Sequence, residues 1–150
     1  MTEKVKIRFK LNPEDEQGYE VENLWAEPLE DHNFRILNSP FFVFDVSFDD
    51  IVKAVAHDSG LQYAGIARRG GHSTYRIFLP SERTIEDSSF QEHWKPISDQ
   101  GATMENANDR FIAVDVPPDA DISAIYHLLQ EGENAAVWSF EEGHYFRQST

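Results

Sequence analysis

Apolar and polar residues alternate near the start of the chain, where Val5, Ile7 and Phe9 are separated by Lys and Arg side chains. A period of two places successive side chains on opposite faces of a strand, so the pattern predicts a strand over residues 4–10 with one solvated face. Further apolar stretches bounded by turn-forming residues predict four more strands. These strands cover residues 19–27, 33–37, 41–46 and 61–67.

A short helix is predicted between the last two of these strands. Ser47 is placed to cap it, and Asp50 lies three positions later, like the acid of a capping box. Gly60 is a suitable stop, and apolar residues occur between them at helical spacing: Ile51, Val52, Val55 and Ala56. Short strands with one short helix predict a small, barrel-like, mostly-β lobe over residues 1–68.

The second half of the chain shows helical as well as strand patterns. Phe90, Trp94 and Ile97 predict an amphipathic helix that Pro96 shortens or kinks. A second helix is predicted after the break at residues 117–121, with Gly132 closing it and four apolar positions: Ile122, Ile125, Leu128 and Leu129. Strands are predicted over residues 74–79, 102–106, 111–116 and 136–140.

The order of these elements is β-α-β-β-α-β, which predicts a ferredoxin-like lobe over residues 69–150. Both helices would then cover one face of a four-stranded antiparallel sheet, and the whole chain would be α+β. The sequence leaves open whether residues 1–68 and 69–150 are two units or one compact unit.

Alternation within residues 72–79 assigns its side chains to two faces. Tyr75 and Ile77 are expected to face the helices, whereas Arg76 faces the open side of the sheet. The usual ferredoxin-like order places this strand beside residues 111–116, so we expect Arg76 to pair with Asp115. Such a pair is expected to be structural, buried where the first lobe packs on the second.

Charge limits the classes of partner. The 150 residues contain 13 Lys and Arg against 27 Asp and Glu, a net charge of −14 with neutral histidines. A chain of this charge repels nucleic acid and anionic membrane surfaces, so neither is expected as a partner. The absence of cysteine excludes disulfides and thiol catalysis. Since the chain also opens without an apolar secretory segment, a cytoplasmic location is expected.

Several short strings together resemble a bacterial family known as domain of unknown function 4265. They are residues 25–28 (Trp-Ala-Glu-Pro), 38–42 (Asn-Ser-Pro-Phe-Phe), 48–52 (Phe-Asp-Asp-Ile-Val) and 71–76 (Gly-His-Ser-Thr-Tyr-Arg). Residues 116–118 and Trp138 are similar to it as well. Gly70 stands where the resemblance leads us to expect Ser, so the turn before His72 is expected to be loose. The resemblance implies a fold and a cytoplasmic bacterial origin, without an established activity.

Residues 68–76 carry the cationic cluster of the sequence: Arg68, Arg69, His72 and Arg76. Two glycines within it leave backbone N–H groups able to approach an anion, so one interpretation is a site for a phosphate or carboxylate of a small metabolite. The other is a linker between the lobes whose arginines offset nearby acids. No catalytic residue is predicted, because adjacent residues such as His72 and Ser73 point to opposite faces of a strand.

Acidic residues form two clusters that contain no Lys or Arg, over residues 11–34 and 111–146. One interpretation is a solvated face that maintains solubility. The other is a surface that attracts a basic protein at long range, most specifically an immunity protein that occludes the active cleft of a basic bacterial toxin. The predicted partner-binding residues are Glu14, Asp15, Glu16, Glu20, Glu22, Glu27, Glu30, Asp31, Glu131, Glu133, Glu141 and Glu142.

Neither a metal nor a cofactor is predicted. The six histidines are scattered without a metal-ligand spacing, and the acids after Asp45 lack the glycine and terminal glutamate of a calcium loop. The sequence does not define the oligomeric state.

Overall fold

The computed structural model describes residues 3–11, 21–58 and 60–147. Within these ranges the chain forms a mixed α+β structure of nine strands and two helices. The strands are β1 (Val5–Lys10), β2 (Val21–Pro28), β3 (Asn33–Ile36), β4 (Ile51–His57), β5 (Gly60–Arg68), β6 (Ser73–Phe78), β7 (Thr103–Asn108), β8 (Phe111–Val116) and β9 (Ser139–His144). The helices are α1 (Ser88–Asp99) and α2 (Ile122–Asn134).

The first five strands are hydrogen-bonded in a closed ring, in the order β1-β2-β3-β4-β5. Neighbouring strands are antiparallel, except that β5 returns to β1 in parallel. Alternation in the sequence determines which side chains lie inside the ring. Ile7 and Phe9 are buried there, while the intervening Arg8 is not. Leu24, Ile36 and Val52 complete this interior from the other strands.

The predicted helix after Ser47 is wrong, because residues 51–57 form strand β4. Ser47 and Asp50 close a tight turn instead of capping a helix: the Ser47 N–H donates to Asp50 Oδ2 at 2.9 Å, and the Asp50 N–H donates to the Ser47 carbonyl at 3.1 Å. The β-branched Ile51 and Val52 then pair with β3 and β5, where their stiff side chains pack well.

The predicted strand over residues 41–46 is also wrong, since this segment has no regular secondary structure. Its backbone N–H groups at positions 41–43 are hydrogen-bonded to the Glu22 carboxylate, and Asp45 adopts a positive φ of 68°. The segment therefore leaves the ring and crosses to the second half of the molecule.

The second half has the predicted order of elements, and its antiparallel sheet has the strand order β7-β8-β6-β9. Both helices pack on one face, where Tyr75 and Ile77 of β6 meet residues of α1 and α2. Helix α1 continues through Pro96 to Asp99. Among the described residues, neither helix is long and apolar enough to cross a membrane.

Gly132 does not end α2 as predicted, since the helix continues to Asn134. The glycine is required by packing. A Cβ atom at this position would lie 2.3 Å from Cε2 of the buried Trp138 indole, whose Nε1–H donates to the Leu129 carbonyl at 2.9 Å. The turn after α2 places Ala136 at a positive φ of 60°, and β9 begins at Ser139 instead of Ala136.

The other face of the second sheet is covered by residues 37–50 of the first half, and we call this contact the junction. Phe41 and Phe42 each pack edge-on against Phe111, with ring centroids 5.5 Å apart. The Asp45 N–H donates to the Gly143 carbonyl at 2.9 Å. Polar side chains of this segment and of the second sheet also meet at the junction away from solvent, as Ser47 and Thr74 do.

Candidate functional site

Arg76 lies at the centre of the junction and is 0% exposed. Its Nε and Nη2 atoms donate to Glu141 Oε2 at 3.1 and 3.0 Å, and Nη1 donates to the Val43 carbonyl at 2.8 Å. The guanidinium also lies 4.5 Å from the centre of the Phe44 ring. The expected burial of Arg76 between the two halves is confirmed, but its expected partner Asp115 is wrong. Arg76 is opposite Ala113 in β8 and opposite Glu141 in β9.

Asp115 instead binds His72, whose Nδ1 lies 2.9 Å from Asp115 Oδ1. Burial raises the pKa of Asp115 from its ordinary value, while His72 acts in the opposite direction. The His72 ring packs edge-on against Phe48, with 5.2 Å between centroids. This pair therefore belongs to the packing of the junction, and His72 does not line the clefts described below.

Arg69 is neutralised in a similar way. Its Nη1 atom donates to Asp50 Oδ2 at 3.0 Å and to the Asp45 carbonyl. Arg68 is exposed. It lines an open cleft next to the β2–β3 turn, together with Glu30 and Asp31. The four residues of the predicted cationic cluster, Arg68, Arg69, His72 and Arg76, therefore do not form one site. Three of them, all except Arg68, contact carboxylates.

A second polar cluster at the junction brings a serine and a histidine together. Ser47 Oγ lies 2.6 Å from Thr74 Oγ1 and 2.7 Å from Nδ1 of His144. Ser47 and Thr74 are fully buried, so the serine hydroxyl has no access for a substrate in this conformation. Among the described residues, no group of three or more His, Asp or Glu side chains is placed to hold a metal ion.

Stability is expected to fall on acidification because of His144. Burial, followed by the charge of Arg69, lowers the pKa of His144 below its ordinary value of 6.5. Below pH 6.5 the unfolded chain therefore binds a proton that the folded chain resists, and the free energy of unfolding decreases. Urea unfolding between pH 7.5 and 5.5 should show this decrease, and His144→Asn should reduce its slope. An unchanged slope in the variant would contradict the assignment, since every other titratable group is common to both proteins.

Glu22, one of the predicted partner-binding residues, is buried and does not lie on a surface. Its Oε2 accepts from the Phe41 N–H at 2.7 Å, and its Oε1 accepts from the N–H groups of Phe42 and Val43 at 3.0 and 2.9 Å. The carboxylate holds the irregular segment that forms the junction. It is occupied by the protein's own backbone and is not available to a partner.

Glu22→Gln is expected to lower the free energy of unfolding by about 2 kcal/mol, because the amide group of Gln places a donor against backbone N–H groups. The matched control is Glu30→Gln, which removes the same charge from an exposed turn. Chemical denaturation of both variants measures the difference. Equal stability of the two variants would show that the three hydrogen bonds contribute little.

The other predicted acids fall into three groups. Glu30, Asp31 and Glu131 are exposed. Glu27, Glu133, Glu141 and Glu142 make contacts within the chain, to Arg35, the Phe140 N–H, Arg76 and the Tyr75 hydroxyl respectively. Glu14, Asp15, Glu16 and Glu20 lie outside the described residues.

Sequence reasoning missed a small cleft between α2 and the end of β9. It has a volume of about 230 Å³ and is lined by Tyr75, Ile122, Ser123, Tyr126, His127, Glu142 and Tyr145. We call it the tyrosine cleft. The available signal was the spacing within α2, which puts Tyr126 beside Ile122 on the helix surface, together with a tyrosine just after β9. The cleft becomes visible only in the structure, where β9 continues to His144 and Tyr145 follows it at the cleft.

The comparisons with known proteins agree with this architecture. A family model described as "Domain of unknown function (DUF4265)" matches residues 22–140. The chain belongs to this family. A crystal structure of a hypothetical protein from Neisseria gonorrhoeae is similar to this DUF4265 protein, with a TM-score of 0.80, 20% sequence identity, and coverage of 99% of this chain and 98% of the other. At that identity the likeness shows the fold alone. No curated protein matches this DUF4265 chain.

Three of the strings that resemble the DUF4265 family meet at the junction. Residues 38–42 and 48–52 belong to the first half, and residues 71–76 form the end of the turn before β6 and the first four residues of that strand. Gly70 in that turn is held firmly, contrary to the expected loose turn: its N–H donates to Asp50 Oδ1 at 2.9 Å. A Cβ atom at Gly70 would lie 2.4 Å from the Asp49 carbonyl oxygen, so a larger residue would require the backbone to move.

Proposed function

We propose that this protein acts in the cytoplasm as a non-enzymatic binder of a basic protein, most specifically as an immunity protein that occludes the active cleft of a basic bacterial toxin. The observation that carries the proposal is the distribution of charge. Arg69, His72 and Arg76 face carboxylates inside the molecule. These cations therefore do not offset the exposed carboxylates of Glu30, Asp31, Glu131 and Glu142.

Two exposed acidic regions support this function. One is the β2–β3 turn with Glu30 and Asp31, beside an open cleft of about 720 Å³. The other is the region where α2 carries Glu131 and the adjacent edge strand β9 carries Glu142. Negative regions of this kind raise the rate of encounter with a positive partner and lose that effect in salt.

The alternative function, sensing an anionic metabolite near residues 68–76, has less support. An anion would have to displace Asp50 from Arg69 and Glu141 from the fully buried Arg76. Moving paired charges out of such contacts is costly. The geometry therefore favours the acidic surface over the cationic cluster as the place where a partner binds.

The architecture supports finer descriptions that we also propose. The closed ring of β1 to β5 has the character of a small β-barrel. The strand order β7-β8-β6-β9, with both helices on one face, is that of a ferredoxin-like lobe. Neither description identifies a function, because such folds carry many unrelated activities.

The test is co-purification with the basic proteins encoded by neighbouring genes, followed by stopped-flow measurement of association. We expect a complex whose association rate falls at least tenfold between low and physiological salt. The double variant Glu30→Gln with Asp31→Gln should slow association, whereas the charge-matched double variant of the exposed Glu82 and Glu86 should change it less. Absence of any complex with these gene products would overturn the proposal.

A further inference from the structure

The tyrosine cleft combines aromatic surfaces with a carboxylate. Tyr126 and Tyr145 are each 43% exposed, and both line the cleft. Tyr75 forms the floor and is buried. The ring centroids of Tyr75 and Tyr126 are 6.2 Å apart and their planes are inclined by 60°, so the Tyr126 ring forms a wall beside this floor.

Glu142 is held at the edge of this cleft by the floor residue. The Tyr75 hydroxyl donates to Glu142 Oε1 at 3.2 Å. Burial and the charge of Glu142 raise the pKa of Tyr75 well above its ordinary value, so the phenol stays protonated and remains a donor. Glu142 itself is exposed and lines the cleft.

Aromatic faces and a carboxylate attract the same kind of group, which is a cation. The volume of about 230 Å³ is smaller than the usual pocket for a small-molecule ligand, and it suits a single side chain. An adjoining cleft of about 340 Å³ shares Ile122 and Tyr145 with it, which leaves room for a polypeptide on that side. Arg147 lines the adjoining cleft and disfavours a second cation there.

We propose that the tyrosine cleft receives one Lys or Arg side chain of a protein partner, between the rings of Tyr126 and Tyr145 and close to Glu142. This inference rests on the proposed function, because it names the part of the surface that recognises the basic partner. It also gives Glu142 a role different from that of Glu141, which is directed to the opposite face of β9 and binds Arg76.

The probe is a capped tripeptide, acetyl-Gly-Lys-Gly-amide, titrated into the full chain while NMR follows the ring signals of Tyr126 and Tyr145. A peptide with norleucine in place of lysine is the neutral control. We expect millimolar binding of the lysine peptide and binding at least several-fold weaker for norleucine. Glu142→Gln and Tyr126→Leu should each weaken the lysine peptide by about tenfold.

Both variants are chosen to preserve the fold, since Gln retains an oxygen for the Tyr75 hydroxyl and Tyr126 is exposed. Glu92→Gln is the matched control, because it removes one charge from an exposed position of α1 outside the cleft. Equal weakening by Glu92→Gln and Glu142→Gln would indicate long-range attraction alone and overturn the inference. Equal binding of the two peptides would also overturn it, since the cleft would then be merely apolar.

The peptide titration does not depend on the natural partner, so the two proposals can fail separately. If the lysine peptide binds specifically but no complex is found in the co-purification, the proposed function is contradicted and the inference about the cleft stands. A basic partner that binds Glu142→Gln and Tyr126→Leu as tightly as the wild type would remove the inference about the cleft and leave the proposed function standing.

Discussion

Replacing Arg76 by methionine is expected to lower the free energy of unfolding by about 3 kcal/mol. The substitution keeps an unbranched apolar side chain under Phe44 but removes every hydrogen bond of the guanidinium. The carbonyl groups of Pro40 and Val43, which Arg76 bonds at 3.3 and 2.8 Å, lose a charged donor. The junction depends on this donor because its covering segment has no regular secondary structure of its own.

Glu141→Gln tests the other half of the pair. The Arg76 guanidinium cannot lose its proton in a protein, so it would remain fully buried with only neutral acceptors. We expect this variant to be destabilised by a similar amount, about 3 kcal/mol. The Glu141 side chain is 36% exposed, and water can therefore compensate it when Arg76 is absent.

A double-mutant cycle separates the pair from its surroundings. The double variant should be more stable than the sum of the two single effects predicts, by at least about 1 kcal/mol, because removing the second partner costs little once the first is gone. Urea denaturation of the four proteins supplies the measurement. Lys95→Met is the control, since Lys95 makes an exposed pair with Asp99 at 3.2 Å. Strict additivity in the cycle would contradict the pairing.

The contrast between the predicted and the observed partner of Arg76 shows which features of the site can be predicted from the sequence. Alternation within residues 72–79 was sufficient to assign Arg76 to the face opposite the helices, and the structure confirms that face. The partner depends on which strand lies on each side and in what register. The last strand was predicted to end at Phe140, so Glu141 lay beyond it and could not be recognised as a neighbour.

The wrong helix after Ser47 has a similar origin. A Ser followed by an acid three residues later occurs in helix caps and in tight turns alike, and local spacing does not distinguish them. The outcome is decided by tertiary pairing: Ile51 and Val52 find hydrogen-bonding partners in β3 and β5. Where periodicity was sustained, as in Phe90, Trp94 and Ile97 of α1, the predicted buried face is confirmed.

Composition alone predicts only part of the acidic surface, because it does not show which acids are exposed. A count of acids cannot separate Glu22, whose carboxylate is taken up by three backbone N–H groups, from Glu30, which is exposed. The tyrosine cleft was not recoverable, because it joins residues of β6, α2 and the segment after β9. Surfaces assembled from distant parts of the chain require the fold.

Asp50→Asn is expected to lower the free energy of unfolding by about 3 kcal/mol, comparable with the loss of Arg76. Asp50 is fully buried and accepts three hydrogen bonds, from the Ser47 N–H, the Gly70 N–H and Arg69 Nη1, at 2.9, 2.9 and 3.0 Å. The amide group of Asn would point a donor at one of these donors. It would also leave Arg69 without its carboxylate.

The effect should extend beyond a local turn, because Asp50 connects the start of β4 with the segment that leads into the second sheet. Urea denaturation measures the loss, and Asp119→Asn at an exposed turn is the charge-matched control. The backbone amides of Ser47 and Gly70 should exchange their hydrogens faster in Asp50→Asn than in the control. If both amides kept their protection while stability fell, the carboxylate would act through Arg69 alone, and the role of Asp50 as a link between the two halves would be wrong.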